Sequence, residues 1–217
     1  MANTVKPRKF NVLFVGTSEM KVERLPLDAV VDYYPVFLNE DEALDLYNEL
    51  IEIYNIDQAR IKIHAGGKEI ETDSFKILFS SQELIDQQSH PESIHGKSFI
   101  WKGAMSRLKN KVEILTRRSF DLAMCLYYPD GNHFAIYHQD QQTRGTDTLL
   151  PSLSLGAVRE FSFKHVDTGD LHNLHLANGS LLVMGKNCQS RYTHSLLQVD
   201  NFNYPRINVT FRDREFC

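Results

Sequence analysis

From Asp121 onward the chain breaks into short alternating runs of apolar and polar residues, at 121–128, 134–140, 152–156, 159–165, 180–185, 192–198 and 206–212. Pro, Gly, Asn and Asp stand between them. Alternation sends successive side chains to opposite faces of a strand, and runs of this length bounded by turn residues pair as antiparallel neighbours. Seven such runs in succession predict an all-β sandwich or barrel.

The first 118 residues have a different character. In "FLNEDEALDLYNELIEIYN", Asn39 is followed three residues later by Glu42, the spacing of a capping box. Apolar residues at 43, 44, 47, 50, 51 and 54 then predict an amphipathic helix. A second helix is expected over Ala104 to Thr116, with Met105, Leu108, Val112 and Leu115 on one face. Between them, "ARIKIHAGGKEIE" alternates like a hairpin around Gly66-Gly67, and the polar "SSQELIDQQSHPESIHGKS" predicts an exposed, mobile loop. Near the start, "FNVLFVG" reads as a strand, too short for a signal-peptide core or a membrane span. There are no internal repeats, low-complexity tracts or linkers. The expected organisation is a single domain over 1–217, of α+β, mainly β class. A helical and hairpin part (1–118) would pack on an all-β core (119–217).

A chain of 217 residues with 42% hydrophobic content can bury a full core without covalent staples. Cys125, Cys188 and Cys217 are odd in number and lack Cys-x-x-Cys spacing, which points away from a disulfide framework or a cysteine zinc site. A soluble intracellular protein is expected, in the cytoplasm, or the nucleus of a eukaryote, with no membrane partner and a monomer favoured. The net charge of −4 gives no general attraction to polyanions. Basic residues nevertheless concentrate between Lys102 and Arg118, where Lys102, Arg107, Lys109, Lys111, Arg117 and Arg118 face the single acid Glu113. Such a run reads first as a solvated helix face.

Two strands carry chemistry. In "FAIYHQDQQ", strand periodicity puts Phe134, Ile136, His138 and Asp140 on one face, so an apolar face ends in an imidazole and a carboxylate. With a second histidine elsewhere, that pair would form the two-histidine, one-carboxylate triad of non-haem Fe(II) oxygenases. In "RINVTFR", Arg206, Asn208, Thr210 and Arg212 share one face and Ile207, Val209 and Phe211 the other. A fixed guanidinium fork of this kind suits a carboxylate. His133 falls on the opposite strand face from His138, and His172 and His175 lie in what reads as a hairpin connection.

Taken together, "HQD" at 138–140, "SLSLGAVREFSFKH" at 152–165, "NGSLLVMGKNCQSRYTHSL" at 178–196 and "RINVTFR" at 206–212 resemble the AlkB family of Fe(II)/2-oxoglutarate dioxygenases. The similarity covers roughly 119–212 and extends more loosely into "VVDYYPVFLNEDEALDLYNEL", which is similar to the start of the family's nucleotide-recognition lid. The resemblance implies a double-stranded β-helix, or jelly-roll, core. It implies His138, Asp140 and His194 as iron ligands, and Arg206 as the partner of the distal carboxylate of 2-oxoglutarate. Asn208 and Arg212 would surround co-substrate and metal, and Tyr128 would help to bind the co-substrate. Leu126 stands where the family usually has an asparagine.

The implied reaction consumes 2-oxoglutarate and O₂, releases succinate and CO₂, and removes an N-methyl group from a base in DNA or RNA as formaldehyde. Such a base must leave the stack to react. Gln142 occupies a position that is commonly acidic in the repair members. Phe79, nearest to the lid's usual Tyr-Gly, would stack on a base or pack in the core, and Lys186 and Arg191 are candidate phosphate contacts. Two alternatives stand beside this reading: an AlkB-like oxygenase of a protein or small metabolite, and a non-catalytic nucleic-acid-binding jelly roll.

Overall fold

A computed structural model describes residues 13–14, 19–65, 68–141 and 144–214. The strands are β1 (Leu13–Phe14), β2 (Glu19–Met20), β3 (Glu23–Arg24), β4 (Val31–Tyr34), β5 (Arg60–Ala65), β6 (Lys68–Ser80), β7 (Lys97–Ile100) and β8 (Leu122–Tyr128). They continue as β9 (Ala135–His138), β10 (Leu150–Gly156), β11 (Arg159–His165), β12 (Leu171–Leu176), β13 (Leu181–Met184), β14 (Tyr192–Leu196) and β15 (Arg206–Arg212). Helices are α1 (Glu40–Glu52), α2 (Gln82–Asp86), α3 (Glu92–His95), α4 (Gly103–Thr116) and α5 (Cys188–Arg191). Among the described residues no helix is long and apolar enough to cross a membrane.

Two sheets build a jelly roll. The larger runs β3-β4-β13-β10-β15-β8-β6-β5, with β7 parallel on β6, and the smaller runs β12-β11-β14-β9. Val31, Leu150 and Leu182 of the larger sheet meet Phe163 and Leu176 of the smaller in one apolar cluster, which clamps the sheets face to face. The larger sheet interleaves strands from before and after residue 118. The N-terminal segment therefore extends the core sheet rather than lying on it as a layer.

Alternation decides which side chains face which layer. Ile77, Phe79, Ala123, Cys125, Val209 and Phe211 point away from the smaller sheet and bury against Leu46 and Leu50 of α1 and Met105, Leu108 and Val112 of α4. The α1 capping box is complete: the Glu42 N–H donates to Asn39 Oδ1 at 2.8 Å, and the Asn39 N–H donates to Glu42 Oε2 at 2.9 Å. Leu44, counted in the predicted apolar face, is exposed, and Leu46 takes its place in the core. Cys125 and Cys188 are buried free thiols.

Two expectations differ from the structure, and a third falls mostly outside the described residues. The polar segment after Ser80 is ordered as α2, α3 and β7 rather than as a mobile loop, because it buries Leu84, His90 and His95 among its polar residues. Gly96 closes α3 at φ +77°, with its α-carbon so near the Lys76 carbonyl that a β-carbon would fall 1.9 Å from that oxygen. Residues 171–176, read as a connection, form edge strand β12 beside β11. Of the predicted strand in "FNVLFVG", only Leu13–Phe14 lies within the described residues.

Candidate metal and co-substrate site

The polar face of β15 looks between the two sheets, where Tyr128, Arg206, Asn208, Thr210 and Arg212 line a cavity of about 120 Å³ together with His138, Asp140 and His194. All seven residues expected at the metal and co-substrate are thus brought to one cavity. Register explains it: β15 pairs with β8 so that Arg206 lies opposite Tyr128 and Asn208 opposite Leu126, and cross-strand partners share a face. Leu126 accordingly presents its side chain to the cavity at the place where the family's asparagine would stand.

The neighbouring strand β10 supplies two residues that the sequence reading passed over. Arg206 Nη2 donates to Ser154 Oγ at 2.7 Å, and Asn208 Nδ2 donates to Ser152 Oγ at 2.7 Å and to the Leu153 carbonyl at 3.1 Å. Thr210 Oγ1 donates to Asn208 Oδ1 at 2.8 Å. The alternation of "SLSLG" was the available signal, since it sets both serines on one face. Arg206 is fully buried, and burial lowers its pKa to about 10. Its Nε and Nη1 are buried without a hydrogen-bond partner.

At the other end of the cavity, the donor atoms of His138, Asp140 and His194 lie within 4.8 Å of one another. The expected common face of Phe134, Ile136, His138 and Asp140 does not form. His138 pairs with His194 and Ala135 with Leu196, so three steps on β9 match two on β14, a β-bulge. The extra residue turns Phe134 (45% exposed) and Ile136 (72% exposed) to the outside while Ala135 and His138 line the cavity. Asp140 lies past the end of β9.

The bulge also brings the Ile136 carbonyl within 2.7 Å of His138 Nδ1. A carbonyl only accepts, so Nδ1 carries the proton and Nε2 keeps its lone pair for a metal. His194 is held differently: Phe161 stacks on its ring with centroids 5.4 Å apart and planes 23° from parallel.

Electrostatics keep Asp140 and His194 in ligand form. Burial opposes charge on Asp140, but Arg212, whose Nη2 is 2.5 Å from Asp140 Oδ1, together with His194 outweighs it and holds the carboxyl well below its usual range. Burial lowers the His194 pKa against the pull of Asp140, which favours a neutral imidazole. Gln189, buried and also unforeseen, accepts the Asp140 N–H at 2.8 Å and so fixes the backbone that carries the carboxylate. Arg159, fully buried, donates to the carbonyls of Asp130 at 3.0 Å and Leu197 at 2.6 Å, bracing the turn between β8 and β9.

The expected substrate residues are not brought together. Phe79 is fully buried on the helix side of β6, edge-on to Tyr54 at 4.8 Å, because its strand parity is opposite to that of the cavity face. It is a core residue and has no free face for a base. Arg191 is ion-paired with Asp28, and Lys186 is exposed; neither lines the cavity. Gln142 lies outside the described residues. His133 bonds Asp130 at 2.8 Å, away from the triad.

Residues 30–212 match the family model described as the 2OG-Fe(II) oxygenase superfamily. The chain is 31% identical over 121 residues to DNA oxidative demethylase ALKBH2 of Bos taurus, across 52% of this chain and 44% of that one. It is 30% identical over 122 residues to the alpha-ketoglutarate-dependent dioxygenase alkB homolog 3 of Bos taurus, across 52% and 43%. It therefore spans less than half the length of these two relatives. Uncharacterized protein R406 of Acanthamoeba polyphaga mimivirus is 26% identical over 178 residues, across 78% and 87%. Among solved structures, OsALKBH1 shares the fold, with a TM-score of 0.61 at 15% identity over 89% of this chain and 100% of that chain. The matched family model takes in every strand that lines the cavity, and the chain belongs to the 2OG-Fe(II) oxygenase superfamily, in its AlkB family.

Proposed function

We propose that this chain is an Fe(II)/2-oxoglutarate-dependent oxygenase that oxidatively removes alkyl groups from N-alkylated bases of DNA or RNA. The observation that carries the reading is Arg206. A fully buried guanidinium lines the same cavity as the triad, with Nε and Nη1 left without a protein partner. Burying a cation alone is costly, so the cavity suits an anion, and a carboxylate matches the guanidinium fork. In this reading Arg206, Tyr128 and Asn208 hold 2-oxoglutarate, while His138, Asp140 and His194 hold the metal. When bound, iron with 2-oxoglutarate and O₂ supplies the oxidation of a C–H bond. Arg212 keeps Asp140 anionic, Gln189 and Phe161 keep Asp140 and His194 in place, and the closed inner end around Arg206 excludes water. Relatives named as DNA oxidative demethylases support a nucleic acid as the substrate.

Mass spectrometry of methylated oligonucleotides, single- and double-stranded, incubated with the iron- and 2-oxoglutarate-loaded protein tests the reading. Loss of the methyl mass with matched succinate release is the expected result. Succinate release without any change in the oligonucleotides would move the substrate to a protein or small metabolite. Absence of 2-oxoglutarate turnover would remove the oxygenase reading itself.

A further inference from the structure

The basic run before β8 is only partly explained by its helix. Lys109 Nζ bonds Glu113 at 2.5 Å and lies over the Trp101 ring at 5.5 Å. Lys111 Nζ bonds both carboxylate oxygens of Glu42 at 3.0 Å and lies over Phe37 at 5.2 Å. These lysines tie α4 to its surroundings. Arg117 and Arg118, just past the end of α4, have no acidic partner among the described residues. With Ser119, Arg144 and Asp147 they line a shallow cleft of about 530 Å³. Three arginines from two separate segments thus line one cleft with Asp147, and Arg144 is in addition paired with Asp213.

Both sides of the cleft are tethered to the cavity. Arg118 is three residues from Asp121, whose N–H donates to the Arg212 carbonyl at 3.1 Å. Arg144 Nε donates to Asp213 Oδ2 at 2.7 Å, one residue past the Arg212 that holds Asp140. Arg144 also follows Asp140 by four residues, so their α-carbons are at most roughly 14 Å apart. Within the cavity Arg206 is buried and His138 is exposed, so access is from the His138 end, and the cleft is linked to that cavity through Asp140, Arg212 and Asp213. Arg117 caps α4 in the left-handed region (φ 54°, ψ 34°), where glycine is the ordinary residue. A helix C-terminus by itself favours a cation, but Arg144 belongs to no part of that helix.

We propose that Arg117, Arg118 and Arg144 form a subsite for the phosphodiester backbone of the strand whose base enters the cavity. This rests on the nucleic-acid reading above. A strand carries one charge per roughly 3.4 Å of rise, so the cleft meets phosphates a few nucleotides from the target. It supplies the local attraction that a chain of net charge −4 lacks as a whole.

The test uses the full chain loaded with Fe(II) and 2-oxoglutarate, and a single-stranded oligonucleotide bearing one N-methylated base. Arg117→Gly combined with Arg118→Ala removes two charges, and the glycine suits the positive φ. Arg144→Gln is the second variant. For the double variant, KM for the oligonucleotide should rise roughly tenfold, and the slope of log KM against log salt should flatten by about 1.4, or 0.7 per lost contact. Arg144→Gln should flatten it by about 0.7. The kcat and the uncoupled conversion of 2-oxoglutarate should not change. A wild-type protein active on the oligonucleotide, with variants of unchanged KM, overturns the subsite and leaves the nucleic-acid reading standing. A raised KM with an unchanged salt slope also overturns it, by making the arginines structural. A wild-type protein that turns over 2-oxoglutarate but neither binds nor alters the oligonucleotide removes both.

Discussion

Arg206 pays its desolvation before any ligand arrives, and this has a measurable consequence. Arg206→Met removes a lone buried cation while filling similar space, so the melting temperature of the ligand-free protein should hold or rise. The rise in melting temperature caused by 2-oxoglutarate should vanish in the same variant. A variant that melts well below wild type, or that keeps the shift, would show that the guanidinium serves the fold. Arg206→Ala should cost roughly 3–5 kcal/mol of co-substrate binding, measurable by titration, and Arg206→Lys should restore only part of it because an ammonium lacks the fork. Gln189→Ala leaves the Asp140 N–H without its acceptor. Metal affinity should drop roughly 10- to 100-fold, read by metal titration with the fold intact by circular dichroism. The arginines of β15 were legible in the sequence because strict alternation declares their face. Gln189 was not, since it reaches Asp140 from a short helix that carries no periodic signal. Phe79 was left between base and core because an aromatic beside a lid-like motif says nothing about strand parity, and the structure puts it in the core.

Local chemistry made some elements plain and hid others. The capping box of α1 and the unbroken alternation of 206–212 are each sufficient in a few residues, and both elements form where expected. The bulge in β9 was invisible, because an extra residue in a strand is defined only against its partner β14. The segment carrying α2 and α3 looked like a loop because its buried set is small and includes two histidines. Gly96 locks that segment onto β6. Gly96→Ala would force a β-carbon onto the Lys76 carbonyl in a backbone region that only glycine occupies comfortably (φ 77°, ψ 176°). It should destabilise the protein by roughly 2–4 kcal/mol, and chemical denaturation reads this directly. A change under about 1 kcal/mol would mean that α3 shifts freely off the sheet.

At the level of the molecule, ligands that bind only the folded state should raise its stability. With 2-oxoglutarate or a divalent metal at about 100 times its dissociation constant, linkage gives roughly 2.7 kcal/mol for each ligand, or about 5–10 °C apiece in a chain of this size. Calorimetry with and without them checks this, and His194→Ala should melt normally yet lose the metal-dependent part. Strand order was the feature least legible in the sequence, because long-range pairing leaves no trace in local pattern. The order also bears on how the chain is made. β15, last among the described strands, lies inside the larger sheet between β10 and β8. A ribosome that has delivered everything up to Tyr204 has therefore produced two half-sheets with open edges and no strand to pair them. The larger sheet cannot close until β15 has emerged, and until then those edges need shielding from neighbouring chains. Pulse proteolysis of stalled nascent chains should show protection only once residues 206–212 have left the exit tunnel.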